Sequence, residues 1–256
     1  MSRKTILITG VSKGIGKALA IQFASQGYDI IGFGRDIHAV EALFSDIEQR
    51  YGARCLALAG DLSDPNSLKK IFESAFEFAP KIDILINNAG VGSFDQFVNL
   101  PDSAWQSMID VNIKGPAWCT REILPSMIKY KDGIVVNISS ICGLRGYEEC
   151  SAYCATKFAI VGLSESLAKE IAPFNISVYT VCPDIVDTDF ASGRNAQLTD
   201  PARMLTPQEV ANFVYKLSSK RPRSQICSLH LHPLSMVLFR FGMVRRSTWS
   251  KRIRWI

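Results

Sequence analysis

Histidine is scarce in this 256-residue chain, with three in all, and the seven cysteines show none of the close pairing that marks a zinc or haem motif. The sequence therefore predicts no resident metal, and Cys150 and Cys154, four residues apart, are read as packing residues. Apolar runs long enough to cross a bilayer, about 20 residues, are also missing; the longest in the C-terminal segment is broken by Arg240. Nothing resembling a signal peptide precedes the first apolar run, and scattered thiols in odd number suit a reducing compartment, so a cytoplasmic protein is expected. Repeats and low-complexity linkers are lacking as well, which leaves a single large domain as the reading. Acidic residues are absent from Lys220 to Ile256, where nine Lys/Arg stand alone, whereas residues 1–219 carry 20 Lys/Arg against 24 Asp/Glu. The body is mildly acidic and the end strongly basic.

What is present is a regular alternation. Apolar, β-branched runs recur at Thr5–Ile8, Asp29–Phe33, Cys55–Ala59, Ile82–Ile86, Ile134–Ile138, Ile176–Val181 and Gln225–Leu231, separated by helical patterns. Continuous rather than alternating apolar strands imply burial on both faces, and right-handed helical crossovers then give an α/β fold: one doubly wound Rossmann-type domain with a seven-stranded parallel sheet flanked by helices. That domain is expected over 1–231, with 232–256 as a basic amphipathic tail. Helix punctuation agrees: Asp64-Pro65 and Thr206-Pro207-Gln208-Glu209 read as helix starts, the second with a capping-box glutamate.

The first apolar run leads through Thr9-Gly10-Val11-Ser12-Lys13-Gly14-Ile15-Gly16 into a helix. A glycine-rich turn before a helix N-terminus lets backbone approach a pyrophosphate, so Gly10, Ser12, Lys13, Gly14, Ile15 and Gly16 are candidate dinucleotide contacts. The second run ends Phe33-Gly34-Arg35 with no carboxylate at its tip. Arg35 and Lys13 could hold a 2′-phosphate, which favours NADP (as NADPH) over NAD; Asp36 is read instead as a helix cap. Asp61 and Leu62, after the third run, are candidates for the adenine amino group and ring face, with a plain turn carboxylate as the other reading of Asp61.

Tyr153-Cys154-Ala155-Thr156-Lys157 puts a phenol and an ammonium on one helix face. Ser139-Ser140 closes the fifth run, Asn87-Asn88-Ala89-Gly90 the fourth, and Val111-Asn112 is read as opening a long helix. With the glycine turn, these motifs resemble the short-chain dehydrogenase/reductase family in order and spacing over nearly the whole length to about residue 231. The resemblance implies an enzyme that moves hydride between nicotinamide and a ketone or secondary alcohol, with catalytic Asn112, Ser140, Tyr153 and Lys157. Tyr153 would donate the proton, with its pKa lowered by the neighbouring Lys157 cation; Ser140 would bind the substrate oxygen and Asn112 anchor a water relay. Tyr153, Lys157, Asn88, Ala89, Gly90, Pro183 and Thr188 would meet the cofactor, with Asn87 and Asn88 bridging strands as well.

One position departs from the family: Asp184 follows Pro183 where glycine is usual, which puts the path of the loop to Thr188 in question. Asp189–Leu205 is read as a substrate lid. The resemblance implies a small-molecule or acyl-thioester carbonyl substrate, and 3-oxoacyl-acyl-carrier-protein reductases share the general plan, although the last strand ends Leu231-His232-Pro233 rather than Asp-Gly-Gly. A homo-oligomer is expected. The tail reads as a peripheral membrane contact, a subunit arm or a solvated segment, with no nucleic acid expected. The alternative function is a non-catalytic dinucleotide-sensing or membrane-associated binding protein on the same fold.

Overall fold

The computed structural model describes residues 3–191, 204–220 and 228–233. Seven strands form one parallel sheet: β1 Thr5–Thr9, β2 Asp29–Gly34, β3 Cys55–Ala59, β4 Ile84–Asn87, β5 Gly133–Ile138, β6 Ile176–Pro183 and β7 Ser228–Leu231. Their order is β3-β2-β1-β4-β5-β6-β7, so the winding reverses between β1 and β4. Adjacent crossovers leave the sheet in opposite directions there, which opens a crevice at the carboxyl ends of the strands.

Among the described residues, seven α-helices connect and cover the strands: α1 Gly14–Ser25, α2 Ile37–Tyr51, α3 Pro65–Phe78, α4 Asp102–Ile109, α5 Gly115–Tyr130, α6 Ser151–Ile171 and α7 Pro207–Lys220. The two faces of the sheet make two cores. Ile6, Ile8, Ile30, Ile86 and Val136 meet α1, α2 and α7, while Leu7, Ile31, Leu85, Val135 and Val178 meet α3, α5 and α6. Successive residues of a strand point to opposite faces, so double coverage requires unbroken apolar runs; β1, β2, β4 and β5 are buried along their whole length. At the edges this demand lapses. β3 is mostly half-buried and β7 alternates exposed and half-buried residues.

The caps read from the sequence form as drawn. Asp36 Oδ1 accepts from the Ala39 amide at 3.1 Å, and Asp64 Oδ1 from the Asn66 amide at 2.9 Å. Thr206 Oγ1 accepts from the Glu209 amide at 3.2 Å while the Thr206 amide donates to Glu209 Oε2 at 2.7 Å, a reciprocal capping box. Asn112 differs from its reading as a helix opener. It lies inside a π-helical turn, Asp110–Lys114, that joins α4 to α5 without a break. A π-turn is a single wide turn that often marks a functional position; here it carries Asn112 inward, to 1 % exposure.

The lid and tail readings fall largely beyond the described residues, which omit 192–203 and 234–256. Among the described residues no helix is long and apolar enough to cross a membrane.

Candidate active site

A cleft of about 1550 Å³ runs along the carboxyl edge of the sheet, from the glycine turn to the start of α6. At one end β1 turns into α1. Gly10 adopts φ +69° and Gly14 φ +56°, conformations that cost a Cβ-bearing residue roughly 1 kcal/mol or more. A Cβ on Gly10 would lie 2.9 Å from Ala89 Cα, and one on Gly16 would collide with the Gly10 carbonyl oxygen. Gly10, Ser12, Lys13, Gly14 and Ile15 line the cleft, whereas Gly16 sits behind them and lets α1 close against the turn. Asn88 holds the turn from the β4 side: its Nδ2 donates to Thr9 O at 2.9 Å and Gly10 O at 3.1 Å. The Thr9 hydroxyl accepts from the Asn88 and Ala89 amides. The bridging reading of Asn88 is therefore realised, and its place in the lining brings Ala89 and Gly90 to the cleft surface.

Arg35, exposed at the tip of β2, and Asp61 and Leu62 beyond β3 line the same end. The Ser63 amide and hydroxyl, with Arg35 further off, hold the Asp61 carboxyl below the usual carboxylate range. Leu62 is buried and packs where a Cβ on Gly115 would stand 2.9 Å away. Lys13 reaches across the mouth to Asp189 at 3.9 Å, both ends well exposed, an arrangement worth little in water.

At the other end, Ser140, Tyr153 and Lys157 share one wall. Ser140 stands two residues beyond β5 and caps a short 3-10 turn, its Oγ accepting from the Cys142 amide at 3.2 Å. Tyr153 and Lys157 project from the first turns of α6, with Lys157 Nζ 5.6 Å from the Tyr153 ring centroid. Nζ donates to Ile138 O at 3.0 Å, and Ser139 Oγ ties β5 to α6 by donating to Lys157 O at 3.1 Å. Gly143 is required in this junction because a Cβ there would stand 2.8 Å from Lys157 O.

Asn112 stands one layer behind the wall. Its Nδ2 donates to Val91 O at 2.8 Å and Thr156 Oγ1 at 3.1 Å, and its Oδ1 accepts from the Val91 amide at 2.9 Å. Gly90 fits between it and the lysine, since a Cβ there would lie 3.3 Å from Asn112 Oδ1 and 3.6 Å from Lys157 Nζ.

The protonation states correct one expectation. Burial pushes the Tyr153 phenol upward, the nearby Cys142 thiol adds to that, and the Ser140 hydroxyl opposes it. Burial also depresses the Lys157 ammonium to about 8. The sequence reading had the lysine lowering the phenol; in this site burial is the largest influence on each group and favours the neutral form of both.

Asp184 lines the cleft, and its polar groups are held at the end of the sheet. Its amide donates to Leu231 O at 2.9 Å, and its Oδ2 lies 2.9 Å from His232 Nδ1. The departure after β6 and the unusual end of the last strand thus explain one another. The loop continues normally enough that Pro183 and Thr188 line the cleft, Thr188 Cγ2 being 3.3 Å from where a Gly14 Cβ would stand.

Two residues that no motif flagged complete the wall. Phe94, after β4, and Phe190, after Thr188, stand 5.5 and 5.8 Å from the Tyr153 ring, centroid to centroid, and 6.4 Å from each other. They lie in irregular segments where hydrophobic periodicity gives no signal.

Known proteins share this plan. The family model for the short chain dehydrogenase matches residues 4–199. A 3-oxoacyl-acyl-carrier-protein reductase from Aquifex aeolicus is 34% identical over 224 residues, 85% of this chain and 90% of that protein. An alcohol dehydrogenase from Thermococcus sibiricus, solved with 5-hydroxy-NADP, superposes with TM-score 0.84 at 25% identity, over 91% of this chain and 97% of that one. A 3-ketoacyl-acyl-carrier-protein reductase from Brucella melitensis, solved with NADH, gives TM-score 0.82 at 27% identity, over 89% and 96%. With the family's motif residues ranged along one cleft, the chain belongs to the short-chain dehydrogenase/reductase family, oxidoreductases that interconvert C=O and CH–OH.

Proposed function

We propose that this protein is an NADPH-dependent reductase of apolar ketones, with 3-oxoacyl thioesters as the leading substrate class. The observation that carries the reading is the convergence of Ser140, Tyr153 and Lys157 on one wall, facing a glycine turn across a continuous cleft. The dinucleotide fits the other end: the Gly10–Ile15 backbone is open to a pyrophosphate, and no side chain can be added at Gly10 without striking Ala89. Arg35 at the β2 tip, with no acidic residue beside it in the lining there except Asp61, favours a 2′-phosphate.

When bound, the reduced nicotinamide supplies the hydride. As the substrate carbon accepts it, the C=O π pair moves onto oxygen, and Tyr153 gives that oxygen the phenolic proton while the Ser140 hydroxyl donates a hydrogen bond to it. Burial keeps Tyr153 protonated beforehand, which readies it as an acid. The phenolate left behind faces the Lys157 ammonium, whose charged form becomes favourable once it has an anionic neighbour. Solvent then returns the proton to Tyr153. Asn112, by clamping both backbone groups of Val91, keeps the segment that carries Gly90 and Phe94 in place. Phe94 and Phe190 surround the phenol with apolar surface, which suits an acyl or other hydrocarbon-bearing ketone over a polyol.

Phe158 and Leu163 on α6 remain 45% and 37% exposed, which supports self-association through that helix. The deciding experiment follows NADPH oxidation with a panel of ketones and 3-oxoacyl thioesters. Turnover in the wild type, lost by about 10²-fold or more in Tyr153→Phe with NADPH affinity retained, is the expected result. NADPH binding without turnover of any carbonyl would instead identify a dinucleotide-sensing protein.

A further inference from the structure

Outside the reductive chemistry, strand register assembles a second cluster. β6 pairs with β7 so that Cys182 lies opposite His230 and Pro183 opposite Leu231. One step further sets Asp184 beside His232. Alternate residues of a strand share a face, so His230 and His232 point to the same side, their ring centroids 3.4 Å apart. One ligand atom each from Asp184, His230 and His232 lies within 4.8 Å of the other two. Neither histidine lines the catalytic cleft.

We propose that Asp184, His230 and His232 form a binding site for a divalent transition-metal ion of the Zn²⁺ type. Two imidazole nitrogens and one carboxylate oxygen are a donor set that zinc accepts, at about 2.0–2.2 Å from each, with further coordination positions left for water. Donors so placed stand roughly 3–4 Å apart around the ion, and the observed grouping needs only small side-chain rotations to reach that spacing. The contact of 2.9 Å between His232 Nδ1 and Asp184 Oδ2 is the edge that the ion would enter. The carboxylate is already oriented, because Asp184 Oδ1 accepts from the Ile185 amide at 3.0 Å; such a second partner strengthens a metal ligand. One divalent ion placed between the two imidazoles and the carboxylate would be within reach of all three together. Asp184 also begins the loop that runs to Thr188 and Phe190, so the ion would fasten the root of that loop to the end of β7.

The test uses the full-length protein, stripped of metal with a chelator, kept reduced, and titrated with Co²⁺ and then Zn²⁺. One Co²⁺ per chain is expected, with visible d–d absorption, no thiolate-to-cobalt charge-transfer band, displacement by Zn²⁺, and a raised melting temperature. The double variant His230→Asn/His232→Asn is expected to lose affinity by about 100-fold or more while its circular dichroism and NADPH binding match the wild type. Should that variant fail to fold, His230→Gln, which keeps the Asp184–His232 pair, must still weaken Co²⁺ by about tenfold. A thiolate band, undiminished binding in these variants, or no binding at a large excess of Co²⁺ overturns the proposal. NADPH binding in the same samples reports separately on the reductase reading.

Discussion

Replacing Lys157 by methionine separates the electrostatic cost of the site from its use. Burial lowers the Lys157 ammonium from 10.5 to about 8, so folding disfavours its proton by about 2.5 pH units, or about 3 kcal/mol. The residue is only 5% exposed, and solvent screening does little to reduce this. A depressed lysine carries its penalty in full below pH 8, where it is charged in both states. Between pH 8 and 10.5 the unfolded chain binds more protons than the folded one, so stability rises with pH through that window and the penalty is gone above it. Lys157→Met removes the titration, leaving every other ionisable group common to both proteins. The expected result is that the stability difference, variant minus wild type, falls by about 3 kcal/mol between pH 7 and pH 10.5. Loss of the hydrogen bond to Ile138 O offsets the curve by about 1 kcal/mol without changing its slope. Urea unfolding of the cofactor-free proteins, followed by tryptophan fluorescence at half-unit pH steps, measures it. A difference that stays flat across the window would refute the buried-ammonium account and return Lys157 to an ordinary solvated cation.

Arg35→Asp is expected to shift preference from NADPH toward NADH by roughly tenfold to 100-fold, the equivalent of one charged hydrogen bond of about 1.5–3 kcal/mol; fluorescence titration with both cofactors checks it. Gly16→Ala should weaken NADPH at least about tenfold, because the added methyl collides with the Gly10 carbonyl oxygen and displaces the turn; isothermal titration reads the affinity. Asn112→Ala removes three hydrogen bonds to Val91 and Thr156, and an unfolding free energy lower by about 2–4 kcal/mol is expected in urea titration. Phe94→Ala should raise KM for long-chain ketones several-fold more than for acetone-sized ones, since it removes apolar wall rather than the proton donor; equal effects on both sizes would argue against a role in substrate selection.

The sequence was most legible where one local rule decided the outcome. Buried strands need unbroken apolar runs, tight turns need glycine, and helix starts need a capping oxygen; β1, Gly10 and Thr206 show each of these directly. The candidate site was legible as far as its motifs went, because Ser140, Tyr153 and Lys157 sit at strand ends and helix starts whose positions the fold determines. Three features were hidden. The π-turn at Asn112 has no sequence pattern distinguishing it from an ordinary α-turn. The sign of the Tyr153 shift depends on how completely the phenol is buried, which spacing along a helix does not report. The partnership of Asp184 with His232 spans 48 residues and exists only because β6 and β7 pair in one register.

A last consequence lies in the amides at the ends of the central strands. Asn87 Nδ2 on β4 donates to Asn137 Oδ1 on β5 at 2.8 Å and to Thr120 Oγ1 on α5 at 3.2 Å, and Asn137 Nδ2 donates to Ser164 Oγ on α6 at 2.8 Å. This polar ladder passes through an otherwise apolar layer, so any slip of one strand against the other would strand several donors and acceptors away from water, at about 1–3 kcal/mol each. The spacing between the strand leading to Gly90 and the helix bearing Tyr153 is thereby settled as the chain folds, before either ligand arrives. Binding need not spend orientational entropy to bring the two halves of the cleft into alignment.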